Sequence, residues 1–460
     1  MSNKYDCIIV GTGPAGIFTA WELSQKSNLR ILMLEKGRDI KRRQCPLADS
    51  HKGCLHCQPC AIVSGWGGAG AFSDGKLTLT TEFGGWLGEY VGIPELKELI
   101  EYIDKIYLQF GAPEKVHGMD AENVTRIKRR AAAADLHLIP APVRHLGTDR
   151  TKGILSKMYQ ALSDRGVEVR TLTPVKSLLV EDGAVKGVEL ANGEQIEAPF
   201  VVCAPGREGS EWFAKEAQRL QLSSHSNPVD IGVRVEVPAA VLSHLTDIVY
   251  ESKLLFYAPT FDDLVRTFCM NPQGQVVLEN NDGLLTVNGH SYVDKKTDNT
   301  NFALLVSKSF TEPFREPISY GKYIASLANM LGGTVLVQRL GDLLSGRRST
   351  PKRIARGLVR PTLPDATPGD LSLVLPYRYL TSILEMLEAL DKIAPGIYSR
   401  HTLLYGVEVK FYSSRVELTS ELETAISGLF AGGDGAGVTR GLAQASASGV
   451  LMARAILART

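Results

Sequence analysis

Asp6-Cys7-Ile8-Ile9-Val10 runs without a gap into Gly11-Thr12-Gly13-Pro14-Ala15-Gly16, and a helical pattern, Ile17–Leu23, follows. A second apolar run, Ile31-Leu32-Met33-Leu34, then ends in Glu35 and Lys36. Strand, glycine turn, helix, strand and terminal acid in this register predict a dinucleotide-binding unit. Gly11 permits the tight strand-to-helix turn, Gly13 lets the backbone approach a pyrophosphate, and Gly16 lets the helix pack on the strand. The start of the helix, with Pro14 and Ala15, offers free N–H donors and a partial positive charge to phosphates. Glu35 stands nineteen residues after Gly16, where a carboxylate accepts hydrogen bonds from both ribose hydroxyls. An acid there disfavours a 2′-phosphate, so the expected ligand is FAD or NAD rather than NADP.

The 460 residues are 44% hydrophobic and 22% charged, a globular composition with room for two or three domains. With 51 Lys+Arg against 50 Asp+Glu, the net charge is +1, so no global field draws the chain to nucleic acid or an anionic membrane. Apolar runs such as Cys7–Val10 fall far short of a bilayer span, and Met1–Asp6 carries no apolar signal core, so a cytoplasmic protein is expected. Glycine is in excess, 44 residues against a usual share of about 7%, and it gathers near the N-terminus, at 65–75 and at 428–449.

Between these clusters the pattern changes twice. Val167–Val169, Val175–Val180, Val185–Leu190 and Phe200–Cys203 are short strands separated by Asp182-Gly183 and Asn192-Gly193, a hairpin-rich piece of an α/β scaffold. Glu95–Phe110 carries a helical apolar period closed by Gly111-Ala112-Pro113. From Val229 to Tyr412, strands (Val229–Val237, Val276–Leu278, Leu284–Val287, Phe302–Val306) accompany helices at Tyr323–Leu331 and Tyr379–Ile393. The expected architecture is α/β: a Rossmann-like FAD/NAD(P)-binding domain, three-layered with a parallel sheet and a β-meander, carrying an inserted α+β substrate domain. Residues 1–80, 145–215 and 413–460 form the first, 81–144 a helical and strand excursion, and 216–412 the cap.

Gly428-Leu429-Phe430-Ala431-Gly432-Gly433-Asp434-Gly435-Ala436-Gly437 is a strand ending in glycines and a carboxylate, and Ala443–Ala455 reads as a small-residue helix. This resembles the second flavin motif of FAD enzymes of the glutathione-reductase-like superfamily. The resemblance implies that Asp434 binds the ribityl chain and that the helix beginning at Gly441 and Leu442 points at the pyrimidine end of the isoalloxazine. Phe200–Cys203 with Ala204-Pro205-Gly206 resembles the short strand-plus-glycine motif midway in that superfamily. It brings Ala204 and Gly206 into the expected binding set, to which Val175 also belongs. Three motifs in this order make FAD the expected ligand.

Further strings resemble those of bacterial FAD-dependent dehydrogenases, which are similar to the second glutathione-reductase structural family. They are Cys54–Cys60, Gly65-Trp66-Gly67-Gly68-Ala69-Gly70-Ala71-Phe72-Ser73-Asp74-Gly75-Lys76, Arg347–Thr350, Lys410-Phe411-Tyr412 and Gly433–Leu442. At Cys269-Met270-Asn271-Pro272 the chain departs from that pattern, with Asn271 where relatives tend to have a second cysteine. The resemblance implies that Gly65–Lys76 lines the flavin, with Gly68 and Ala69 against it. Ser73, Asp74 and Lys76 are then candidates to bond the flavin or shuttle a proton, unless Ser73-Asp74-Gly75 is only a turn. Lys76 and Arg440 are candidates to stabilise reduced, anionic flavin.

Cys45, Cys54, Cys57 and Cys60 crowd into sixteen residues. Four thiolates suit an iron–sulfur cluster or a zinc ion, with His51 or His56 as substitute ligands; a redox disulfide at Cys57/Cys60 and reduced structural thiols are the alternatives. His290, in Asn288–Tyr292, is expected in a polar loop, as a solvated residue or a general acid. Arg347, Arg348, Lys352, Arg353, Arg356 and Arg360 form the densest basic stretch, either a solvated face or a site for a substrate's carboxylate or phosphate or for FAD phosphate. The expected activity is hydride transfer between flavin N5 and a carbon of a small organic substrate, with an anion among the candidates. No second strand–Gly-x-Gly-x-x-Gly–helix unit is present, so electrons are expected from transient NAD(P)H docking, a donor protein or the substrate. An electron-transfer flavoprotein with a cysteine-ligated cluster and a flavin monooxygenase are the rival expectations, with neither nucleic acid nor membrane as partner.

Overall fold

The apolar run Cys7–Val10 forms the fully buried centre of a five-stranded parallel sheet. Across that sheet the order is Leu429–Ala431, Phe200–Cys203, Cys7–Val10, Ile31–Leu34 and Glu168–Arg170. The computed structural model describes residues 4–460 apart from 47–54, 56, 74, 226, 282, 293–294, 311–313, 315 and 412–413, with residue 149 described by its backbone alone. Strands from both ends of the chain therefore lie in one layer. Helix Pro14–Lys26 packs closely on helix Leu442–Leu457: a Cβ on Gly449 would lie 2.1 Å from the Ala15 carbonyl oxygen, and Thr19 Oγ1 donates to the Ala15 and Gly449 carbonyls. Helix Ile93–Gln109 covers this pair and buries Leu96, Leu99, Ile100, Ile103, Ile106 and Tyr107, the face its period predicts.

The hairpin region is an antiparallel meander, Val175–Glu181, Ala184–Leu190 and Gln195–Glu197. Its first turn has positive φ at both Asp182 (50°) and Gly183 (73°), the backbone that favours Asp-Gly in a two-residue hairpin. The third strand is not evident from the sequence; it alternates exposed Gln195 and Glu197 around buried Ile196 and offers only one apolar residue.

A second, mostly antiparallel sheet has eight strands, ordered Thr367–Pro368, Leu336–Arg339, Leu403–Lys410, Val229–Pro238, Asn299–Lys308, Asp263–Asn271, Lys253–Ala258 and His137–Ile139. Tyr379, Ile383, Met386, Leu387 and Leu390 of helix Tyr377–Ile393 belong to the hydrophobic core built on this sheet. Six of its strands escape the sequence reading, the short ones at 137–139 and 367–368 and the longer ones at 253–258, 263–271, 336–339 and 403–410. Each of the four longer ones mixes a charged residue into an apolar run; in 263–271 and 403–410 those side chains are ion-paired within the sheet. Glu408, for instance, is fully buried against Arg234. His290 is likewise not in a loop: it ends the strand Leu284–His290, paired with Gln275. Among the described residues no helix is long and apolar enough to cross a membrane.

Candidate active site

Both sheets contribute to one cavity of about 590 Å³. From the parallel sheet come Gly11, Gly13, Pro14 and Ala15, then Glu35 and Lys36, and from the far end Gly433, Asp434, Gly441 and Leu442. Gly68, Ala69, Val175, Ala204 and Gly206 complete this side. Gly16 stays behind the wall, where a Cβ would sit 2.0 Å from the Gly11 carbonyl oxygen, so its role is the close packing of helix on strand.

This side is shaped for an anionic, extended ligand. Helix Pro14–Lys26 and helix Leu442–Leu457 both begin at the cavity, on Gly13 and Gly441, with no side-chain cap and no acid in the first turn. Their first N–H groups and dipoles are therefore open to phosphate or to a flavin carbonyl. A Cβ on Gly206 or Gly441 would meet no protein atom within 4 Å, and one on Gly13 only the Gly68 Cα at 4.0 Å. The cradle is space that side chains would fill.

Glu35 is buried, and each of its oxygens accepts two hydrogen bonds. Oε2 takes the Thr12 N–H (3.0 Å) and hydroxyl (2.8 Å), and Oε1 takes the N–H groups of Gly37 (2.8 Å) and Gly65 (3.0 Å). It thus ties the glycine turn to the Gly65 loop, and a ribose hydroxyl at Glu35 shares or displaces one of these bonds. Asp434 accepts from the Thr439 hydroxyl at 2.8 Å and pairs with Arg207 at 3.2 Å, while Lys36 pairs with Glu208 at 2.5 Å.

The Gly65 loop is clamped by a residue that sequence inspection passes over. Arg43 is 1% exposed and donates to the carbonyls of Ala61, Ile62, Trp66 and Gly68 at 2.7–2.9 Å. Burial pushes its guanidinium down to about 10, although nearby Glu35 and Cys60 act to raise it. No motif marks it: it is one arginine in Lys41-Arg42-Arg43.

Of the other candidates, Ser73, Lys76, His290 and Arg440 line the cavity, and Asp74 lies outside the described residues. The Ser73 hydroxyl donates to the Gly70 carbonyl (2.9 Å) and accepts the Gly75 N–H (3.2 Å), the bonding of a local turn. Lys76 is buried; its Nζ donates to the Met270 carbonyl and lies 3.3 Å from Glu251 Oε2. Arg440 stacks on Trp86, 3.7 Å from the ring centroid.

The second sheet adds Glu251, Lys253, Arg266, Phe268, Cys269 and Lys410. Lys410 and Cys269 appear in the sequence only as parts of family strings, and Glu251, Lys253, Arg266 and Phe268 give no signal of their own. Burial pulls Lys410 down, but Glu408 (3.1 Å) and Glu279 (3.6 Å) more than offset this and hold its ammonium above the ordinary lysine range. None of the six basic residues of 347–360 lines the cavity. Arg347 pairs with Asp342, Ser349 bridges Asp342 and the Arg339 N–H, and Thr350 caps helix Pro351–Ala355, so this string braces a turn. Cys54, His51 and His56 lie outside the described residues; Cys45, Cys57 and Cys60 are free thiols away from the cavity wall. Among the described residues no group of three or more His, Cys, Asp or Glu is placed to hold a metal.

Residues 228–411 match the family described as FAD-dependent protein, C-terminal domain-like, and residues 9–41 match the NAD(P)-binding Rossmann-like domain. The flavin motifs meet at one cavity whose second wall carries an FAD-dependent family signature. The chain is an FAD-dependent oxidoreductase. An uncharacterised protein of Clostridium beijerinckii is 28% identical over 475 residues, covering 98% of this chain and 80% of its own. Among solved structures, L-proline dehydrogenase from P. horikoshii is similar over 100% of this chain and 95% of its own, at 13% identity and a TM-score of 0.43. Glycine oxidase from Geobacillus kaustophilus covers 99% and 95%, at 14% identity and a TM-score of 0.42.

Proposed function

We propose that this oxidoreductase transfers a hydride between flavin N5 and a carbon of a small organic substrate, by C–H/C=C dehydrogenation or the reverse reduction, and that it belongs with the second glutathione-reductase structural family. The observation that carries the proposal is the two-sided cavity. Glycine turns and two uncapped helix starts form one side, and side chains of the second sheet form the other. Bound FAD supplies the hydride acceptor or donor; the protein supplies binding, orientation and electrostatics.

In this reading the helix starting at Pro14 binds the pyrophosphate and the helix starting at Leu442 faces the pyrimidine edge. Lys76 and Arg440 place positive charge at the wall, which favours the reduced, anionic cofactor. Lys76 is held by Glu251 and the Met270 carbonyl, so its proton sits at a fixed position on the cavity surface. The segment 216–412 acts as the substrate cap and excludes water from the reacting centre. Electrons come from transient NAD(P)H docking, from a donor protein or from the substrate, and the enzyme works in the cytoplasm.

Anaerobic purification, identification of the bound dinucleotide by absorbance and mass, and bleaching near the flavin maximum with NADH, NADPH and ferredoxin in turn test the proposal. FAD that is bleached by one donor and reoxidised by an unsaturated organic acceptor is expected. A chain that carries no dinucleotide, or whose flavin passes electrons only singly to a protein, refutes it.

A further inference from the structure

The cations on the second sheet's side of the cavity are not equivalent. Lys76 has Glu251, Arg266 has Asp230, and Lys410 has Glu408 and Glu279. Lys253 has no such partner: among the described residues its ammonium makes no hydrogen bond or ion pair, and it stands 3.5 Å from the centroid of the Phe83 ring. The nearest acid on its own segment, Glu251, is occupied by Lys76 and by the Cys269 N–H at 3.2 Å. Lys253 is only 5% exposed. A buried ammonium without an anion is costly, and the cost is relieved when a ligand brings one.

The surroundings define that ligand. Lys253 opens the strand Lys253–Ala258, and the cavity wall carries Phe83, Ile139, Leu255, Leu264 and Phe268 together with the guanidinium groups of Arg266 and Arg440. A phosphate dianion calls for a fork of donors. Of these two arginines on the wall, Arg266 is paired with Asp230 and Arg440 is stacked on Trp86, so one unmatched ammonium beside aromatic and aliphatic side chains suits a monoanion on a largely apolar body. We propose that Lys253 anchors the carboxylate of the substrate, and that the substrate is a monocarboxylic acid whose remainder is apolar. This rests on the hydride-transfer reading, because it places the acid on the cap side of the flavin cavity.

The groups facing Lys253 are Glu251, which favours its charge, and Arg266 and Arg440, which oppose it, with Asp230 behind Arg266. Burial, then Arg266, brings its pKa down to about 7. A carboxylate that binds only the ammonium form therefore weakens about tenfold for each pH unit above that value. The test is calorimetric titration of the FAD-loaded protein with benzoate, cinnamate and hexanoate, and with benzamide as the uncharged isostere, at pH 6–9. At least one acid is expected to bind while benzamide does not, with affinity falling between pH 8 and pH 9. Lys253→Arg should bind without that fall, and Lys253→Met should bind ~10–100-fold more weakly with a flat profile. Equal affinity in wild type and Lys253→Met, binding of benzamide as tight as benzoate, binding of no acid, or loss of FAD from Lys253→Met in place of loss of acid each overturns the proposal. Calorimetry does not depend on turnover: Lys253-dependent binding to a flavin that exchanges no hydride sinks the hydride reading and leaves the anchor. A turning-over flavin whose acid binding ignores Lys253 sinks the anchor alone.

Discussion

Gly13→Ala separates the scaffold of the cofactor cradle from its function. Gly13 has φ −74° and ψ −177°, open to any residue, and its added Cβ meets only the Gly68 Cα at 4.0 Å. The fold should accept it and gain about 0.4–1 kcal/mol through a less flexible unfolded chain. The same Cβ enters the opening of helix Pro14–Lys26, where the pyrophosphate is proposed to sit. Losing one charge-assisted bond there costs about 1.5–3 kcal/mol, roughly 10–150-fold in FAD affinity. With free FAD at about a hundred times the wild-type Kd, the ligand contributes about 2.7 kcal/mol; a hundredfold weaker site leaves about 0.4. The variant should therefore melt slightly higher than wild type when stripped of FAD and clearly lower when FAD is present.

Scanning fluorimetry of both forms, with FAD release followed by its own fluorescence, reads this crossing. Gly11→Ala is the control: φ is +100° and the new Cβ would lie 2.2 Å from the Ala204 carbonyl oxygen. That variant pays about 1–2 kcal/mol for left-handed backbone plus the overlap, and should melt lower with or without FAD. If Gly13→Ala shifts both forms in the same direction, or keeps wild-type FAD affinity, Gly13 does not face the cofactor and the cradle is misread.

Arg43→Lys removes the fork that holds four carbonyls of the Gly65 loop, and should cost about 3 kcal/mol of thermal stability and speed FAD release; unchanged release places the loop away from the cofactor. Glu22 is fully buried: burial acts to raise its carboxyl, but bonds from Lys26, Tyr102 and Arg454 outweigh this and hold it below the usual range. Its contribution is complete above the unfolded value near ~4.3 and is lost as pH falls through the lower folded value, so Glu22→Gln should flatten the acid limb of the melting profile. Glu236 behaves oppositely, because burial raises its carboxyl further than Thr362, Tyr405 and Asn299 lower it. The native state binds the extra proton, so stability falls as pH rises from the unfolded value through the folded one, and Glu236→Gln should melt higher at pH 8 but not at pH 4; equal shifts at both would refute the assignment.

What the sequence disclosed and what it withheld divide along one physical line. Gly11, Gly13, Gly206 and Gly433 were legible because a positive φ or the absence of a Cβ is a property of a single residue in a local turn. The helix at 93–109 was legible because its buried face repeats every three to four residues. Lys253 was not, because its meaning depends on Ile139, Phe83 and Lys76, all distant in the chain. Ile139 pairs with it, Phe83 lies beneath its ammonium, and Glu251 is drawn away by Lys76. The basic stretch at 347–360 misled for the converse reason: charge density in sequence does not say which cations a fold brings to one place. Here they lie off the cavity, with Arg347 held by Asp342.

The second sheet explains why one lysine is left to act. Arg234 and Glu408 form a fully buried two-pronged pair at 2.7 Å, Asn301 takes a further Arg234 N–H at 2.8 Å, and Lys410 leans on Glu408 and Glu279. Such a pair adds little net stability, since desolvation offsets the attraction, but it permits few arrangements and fixes its neighbours. Lys410 is thus held rigidly at the cavity wall with its charge already answered. A substrate anion gains little from a cation in that state, and more from one whose charge the fold leaves unanswered. Two residues before Lys253, Glu251 turns to Lys76 and to the Cys269 amide, and the strand that follows delivers the unmatched ammonium to the cavity.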